Sequence, residues 1–282
     1  MICAMDREEK ILYLEGRAKE LRKTLLTMIH TAKSGHPGGS LSAADIVAAL
    51  YFDELNVDPQ NPRWENRDRF VLSKGHVCPV LYSALAMRGF FPMEEIKTLR
   101  KLGSILQGHP DMKRTPGVDI STGSLGQGIS CAAGMALGYQ RDGRAARVFC
   151  LVGDGESQEG QVWEAVQAAV KYRLDNLVIF VDNNGLQNDG TCDEVMPTQD
   201  LAAKYASFGC CVHQIDGHKM AEIVDVLQDI RHGQKGRPHV VVAKTVKGRG
   251  VSFMENVVMW HGVAPNDEEY AKAMAEVEEG LK

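Results

Sequence analysis

The chain has 282 residues, 44% of them hydrophobic, which is enough to bury a sizeable core in one large or two small domains. Its 32 basic residues against 37 acidic ones leave a formal charge of −5, which excludes the basic field that nucleic-acid binding needs. Seven cysteines without a CxxC pair predict free thiols in a reducing compartment; with the charged opening MICAMDREEK and no apolar run of membrane-span length, a cytoplasmic protein off the membrane is expected.

Taken in order, residues 7–32 form a helical pattern with Leu21, Leu25, Met28 and Ile29 on one face. Ser42 followed by Asp45 reads as a capping box that opens a helix through Phe52. Short buried strands are predicted over 70–72, 148–152, 177–181, 211–215 and 240–246. Helices are predicted over 79–87, 125–139, 161–172, 220–231 and 267–279, the last an acidic, solvated surface element. Such alternation predicts an α/β domain with a mostly parallel sheet and helices on both faces, spanning 1–282 as a single unit.

Two motifs end consecutive strands of one β-α-β unit: Gly153-Asp154-Gly155-Glu156 and Asp182-Asn183-Asn184. Parallel strands joined by a right-handed crossover deliver their carboxyl-end residues to one edge of the sheet, so Asp154 and Asn184 can share a ligand. A carboxylate, an amide oxygen and flexible glycines suit Mg²⁺ or Ca²⁺ that is also held by phosphate oxygens. Either motif alone is ordinary turn chemistry; the pairing is what points to a metal-bound diphosphate.

Four further loops set histidine beside glycine: Gly35-His36-Pro37-Gly38, Lys74-Gly75-His76, Gly108-His109-Pro110 and Trp260-His261-Gly262. Glycine lets the backbone crowd a ligand, and imidazole supplies a donor or acceptor near neutral pH. Zinc is the rival reading, but these histidines lack HxxxH or CxxC spacing, and Cys210-Cys211 read as packed rather than ligating.

GDGESQEGQVWEA through LVIFVDNNGLQNDG resembles the thiamine-diphosphate motif of transketolases, and the four histidine loops follow that family's order. The resemblance runs from Ser34 to Pro265 and covers only the first half of a transketolase. It implies a thiamine-diphosphate-binding (PP) domain, with thiamine diphosphate and Mg²⁺ as cofactors and Ca²⁺ or Mn²⁺ as substitutes. Asp154, Asn184 and the Leu186 carbonyl would ligate the metal, and Gly153, Gly155 and Glu156 would line the diphosphate. Gly123, Ser124 and Leu125, in the loop Ser121–Gly128, would contact the thiamine rings; many full-length members carry proline where this chain has Ser124.

By the same resemblance His36, His76, His109 and His261 would surround the diphosphate and the reacting carbon and handle proton transfers, His76 and His261 close to phosphate or substrate. Glu159 would join a carboxylate network between subunits; read alone, it is an acid at the start of a helix, favourable to the helix dipole. Glu164 is an interface acid or a solvated one. The implied activity is reversible transfer of a two-carbon ketol unit between a ketose phosphate and an aldose phosphate, in a pentose-phosphate or a specialised sugar route. The resemblance does not reach the family's pyrimidine-binding domain, with the glutamate that activates the aminopyrimidine ring, so that domain is expected outside this chain. A partner chain carrying the carboxyl half, in an α₂β₂ assembly, is therefore expected. Alternatives are a deoxyxylulose-phosphate synthase-like or 2-oxo-acid dehydrogenase-like subunit, or a non-catalytic subunit of the same fold.

Overall fold

Asp6 opens the first helix by a reciprocal cap: its carboxylate accepts from Glu9 N at 2.9 Å while Glu9 Oε2 accepts from Asp6 N at 3.2 Å. This helix, α1 (Arg7–Ala32), ends where Lys33 turns left-handed. The computed structural model describes residues 5–233 and 235–280. Pro37 starts α2 (Pro37–Ser42), since proline fits a first helical turn whose N–H would have no partner anyway.

That early start overturns the capping box expected at Ser42. Ser42 ends α2, and its hydroxyl donates to the Gly39 carbonyl and to Asp182 Oδ2 (2.5 Å). Asp45, inside α3 (Ala44–Ala49), is instead buried in pairs with Arg22 (2.6 Å) and His218 (2.8 Å). The helix then widens into one π turn over Leu50–Glu54.

Strand β1 (Arg69–Leu72) leads to α4 (Cys78–Arg88) and, through a long loop, to α5 (Gln127–Arg141). Then come β2 (Val148–Gly153), α6 (Gly160–Lys171), β3 (Leu177–Asn183), the short α7 (Cys192–Val195) and α8 (Leu201–Ser207). The chain finishes with β4 (Cys211–Asp216), α9 (Met220–His232), β5 (His239–Lys244) and α10 (Asp267–Glu279). All five strands are parallel in the order β1-β2-β3-β5-β4.

Side chains alternate across the sheet, so each strand feeds two cores. Phe149, Leu151, Phe180 and Val241 pack with α1, α3, α4 and α9 on one face; Cys150, Val152, Ile179 and Val242 pack with α5, α6 and α8 on the other. Two expectations are corrected. β4, expected buried, is a half-exposed edge strand. α10, expected to be solvated, buries Ala273 and Val277 in the core it shares with α1.

Candidate active site

The carboxyl edge of the sheet gathers the charged groups. Gly153 lies beside Asp182 in the β2–β3 register, which sets Asp154 one residue beyond the strand end and level with the end of β3. Asp154 is 2% exposed; Oδ1 accepts from Gly155 N at 2.8 Å and Oδ2 from Gly185 N. Burial, and then the charge of Asp182, push its carboxyl up to about 6. Asn184 donates from Nδ2 to Asp182 Oδ2 (3.2 Å), and its Oδ1 accepts from Leu186 N (3.1 Å). The Leu186 carbonyl accepts from Lys247 Nζ at 3.0 Å. The three oxygen donors expected to bind a metal thus share one edge, and one of them already faces a cation.

Asp182 is the buried hub of this edge and was missed as a functional residue in the sequence. It takes hydrogen bonds from Lys74, Ser42, Thr245 and Asn184, and these cationic and hydroxyl donors hold its carboxyl below the usual carboxylate range despite burial. Lys247 was missed as well. Burial and the neighbouring Lys74 bring its ammonium down to about 8. The only sequence signal for either lysine was its position just beyond a strand, next to a glycine.

Beside this edge three of the expected histidines form a triangle, with ring centroids 5.1 Å (His36–His76), 5.5 Å (His36–His261) and 5.1 Å (His76–His261) apart. Burial, reinforced by nearby cationic residues, lowers them to about 4, 2 and 3 respectively, so all three are neutral at pH 7. His261 Nδ1 accepts from Lys247 Nζ at 2.8 Å, which leaves its proton on Nε2. His36 Nδ1 is buried without a hydrogen-bond partner among the described residues. His109 is exposed, outside the triangle and against the loop 121–128, where a methyl on Gly123 (φ +143°) would stand 2.8 Å from its ring. Arg100, not singled out in the sequence, lowers both His36 and His109 by its charge.

The loop 121–128 is held down by Thr122 Oγ1, which donates to Leu72 O at 2.7 Å, and by Glu156. Glu156 is buried beneath these loops. Its oxygens accept from Ser73 Oγ (2.5 Å), Gly126 N (2.9 Å) and Gly153 N (3.0 Å), bracing three loops from inside. Gly155 donates its N–H to Asp154, whose carboxylate caps the single turn that follows. Ser124 and Leu125 stay exposed at the loop tip, Leu125 by 37%. Glu159 is exposed at the start of α6 and lies against Gly126, and Glu164 is exposed on the same helix.

Residues 15–278 match the family described as "Transketolase, thiamine diphosphate binding domain". The chain belongs to the transketolase family. It is 45% identical to the 6-deoxy-6-sulfo-D-fructose transketolase subunit SqwG of Clostridium sp. (strain MSTE9), over 96% of this chain and 98% of that one. It is 40% identical to one of the apulose-4-phosphate transketolase subunits of Phocaeicola vulgatus, over 95% of each. The human transketolase is also 40% identical, across 90% of this chain but 40% of its own length. Among solved structures, the transketolase of Campylobacter jejuni superposes with a TM-score of 0.89 at 33% identity, covering 95% of this chain and 43% of that one. The chain therefore spans about two fifths of the full-length transketolases it matches.

The donor set suits the cofactor of this transketolase domain. Carboxylate, amide and main-chain oxygens are the hard ligands that a divalent cation carrying a diphosphate requires. The buried, like-charged Asp154 and Asp182 favour a cation beside them, and the unpartnered His36 Nδ1 can meet a polar group of a ligand.

Proposed function

We propose that this chain is the diphosphate-binding half of a two-chain transketolase that moves a two-carbon ketol unit from a ketose phosphate, or a related ketose with an anionic end, to an aldose. The observation that carries this is the meeting, at one sheet edge, of an Asp154–Asn184–Leu186 oxygen set and a triangle of neutral histidines. Asp154, Asn184 and the Leu186 carbonyl hold Mg²⁺, while the loop 121–128 holds the thiamine rings. Thiamine diphosphate, when bound, supplies the carbanion chemistry that breaks and remakes the ketose C2–C3 bond.

The chain's own groups do the rest. His261, its Nε2 protonated by virtue of the Lys247 contact, donates a hydrogen bond to a sugar oxygen; His36 and His76, kept neutral by burial, accept or return sugar protons. Lys74 and Lys247 place positive charge beside the anionic ligand. Two relatives matched over nearly their whole length are named as transketolase subunits, one for a sulfo-sugar and one for apulose 4-phosphate, which supports a partner chain and a specialised ketose as donor. Exposed Leu125, Met196 and Met259 on the site's loops support a partner surface that closes the cleft, in an α₂β₂ assembly with Glu159 and Glu164 at the junction.

The test is ketol transfer by this chain co-purified with a transketolase carboxyl-half chain. Aldose-dependent cleavage of a ketose phosphate or sulfo-ketose that requires both Mg²⁺ and thiamine diphosphate is expected. Cofactor-independent turnover, or none with any ketose, contradicts the reading.

A further inference from the structure

At the other end of the sheet, where β4 and β5 begin, sits a second group of ligating side chains. Cys211 and His239 are paired in the parallel register, and His213 lies two residues beyond Cys211, so all three project from one face. Cys211 Sγ is 3.7 Å from His213 Nε2, and His213 Nε2 is 3.3 Å from His239 Nδ1. One ligand atom from each residue lies within 4.8 Å of the other two. A tetrahedral zinc with Zn–S of about 2.3 Å and Zn–N of about 2.05 Å separates neighbouring ligand atoms by about 3.6 Å (S to N) and about 3.3 Å (N to N). The Cys211–His213 and His213–His239 separations match these edges, and the third pair lies within 4.8 Å.

We propose that Cys211, His213 and His239 form a Zn²⁺ site that ties the edge strand β4 to β5, with its fourth position open to water. The chemistry of the donors supports zinc over the cation at the cofactor site. One thiol and two imidazoles are borderline-soft ligands, whereas Asp154, Asn184 and Leu186 offer only oxygen. Cys211 and His213 are half-buried, so an ion can reach them, and His239 is buried. β5 has six residues, at about 3.3 Å each, so the two sites are on the order of 17 Å apart and independent.

The rival is a hydrogen-bonded thiol–imidazole chain that holds no ion. Cobalt separates the two, because a thiolate-bound tetrahedral Co²⁺ shows a ligand-to-metal charge-transfer band in the near ultraviolet and intense visible bands. One equivalent of Co²⁺ added to the metal-free full chain should give these bands, and Zn²⁺ should displace it stoichiometrically. Cys211→Ser should abolish the charge-transfer band, and Cys211→Ser or His213→Gln should weaken Zn²⁺ affinity on the order of 100-fold in a chelator competition. Unchanged circular dichroism and unchanged Mg²⁺–thiamine diphosphate binding in both variants should show that only this site was removed. No charge-transfer band in the unaltered chain, or the same band and Zn²⁺ affinity in Cys211→Ser, overturns the proposal.

Discussion

Asp154 carries the most specific expectation for a single residue. Its folded carboxyl sits at about 6 against an ordinary 3.8, so without metal the folded chain holds a proton that the unfolded chain releases between those values. Its contribution to stability is therefore full below 3.8 and is lost as pH rises through about 6. A divalent cation takes the ionised form, which reverses the trend. The gain in melting temperature from Mg²⁺ with thiamine diphosphate should grow from about pH 5 to about pH 7, and in Asp154→Ala it should vanish at every pH. A gain independent of pH, or intact in the variant, would move the metal elsewhere. His261 makes a different contribution, to turnover rather than to the metal. His261→Ala should lower kcat on the order of 10²–10⁴-fold with cofactor affinity changed much less, as steady-state rates and calorimetry on the assembled enzyme would show. Equal losses in rate and cofactor affinity would make it a cofactor ligand instead. The histidine loops, Asp154 and Asn184 stand out in the sequence because glycine and strand ends mark them, whereas the Leu186 carbonyl entered only through the family resemblance. Lys74, Lys247 and Asp182 acquire meaning only once four strand ends converge, and no spacing along the chain records that convergence.

At the level of the element, the loops hang on Glu156. It joins the β1 end (Ser73), the ring-contact loop (Gly126) and the β2 end (Gly153), all within the buried interior. Glu156→Ala leaves three buried donors without an acceptor, each at about 1–3 kcal/mol, and should lower the melting temperature by roughly 6–20 °C. Glu159→Ala, at an exposed position without a capping bond, should melt like the unaltered chain. Thermal melts of the two variants, side by side, test the division between brace and surface acid; equal melting points would refute it. Strands and long helices followed from apolar runs and period, since the interior strands of a parallel sheet are buried on both faces. What the sequence hid was relational. The helix at Pro37 was obscured by a capping box with plausible residues, and their real partners, Asp182 for Ser42 and Arg22 and His218 for Asp45, lie far along the chain. α10 looked solvated because its acids dominate its composition, though Ala273 and Val277 are buried and Tyr270 and Met274 pack beside them. The grouping of Cys211, His213 and His239 was hidden for a related reason: Cys211 read as packed, and although Cys211 and His213 lie along β4, only the parallel register brings His239 of β5 beside them.

For the molecule as a whole, the proposed function makes the carboxyl edge one half of a cleft. Leu125, Met196 and Met259 are exposed around groups that are themselves buried, and full-length transketolases are more than twice as long as this chain's match to them. A second chain that covers this edge would bury the cofactor between two surfaces, and each binding step would stabilise the other. The most direct test is to purify this chain alone and together with a carboxyl-half chain, and to measure ketol transfer and native mass on the same samples. The account predicts no transfer from the chain alone and full activity on mixing, at the mass of two copies of each chain. Full ketol transfer from the isolated chain would contradict it.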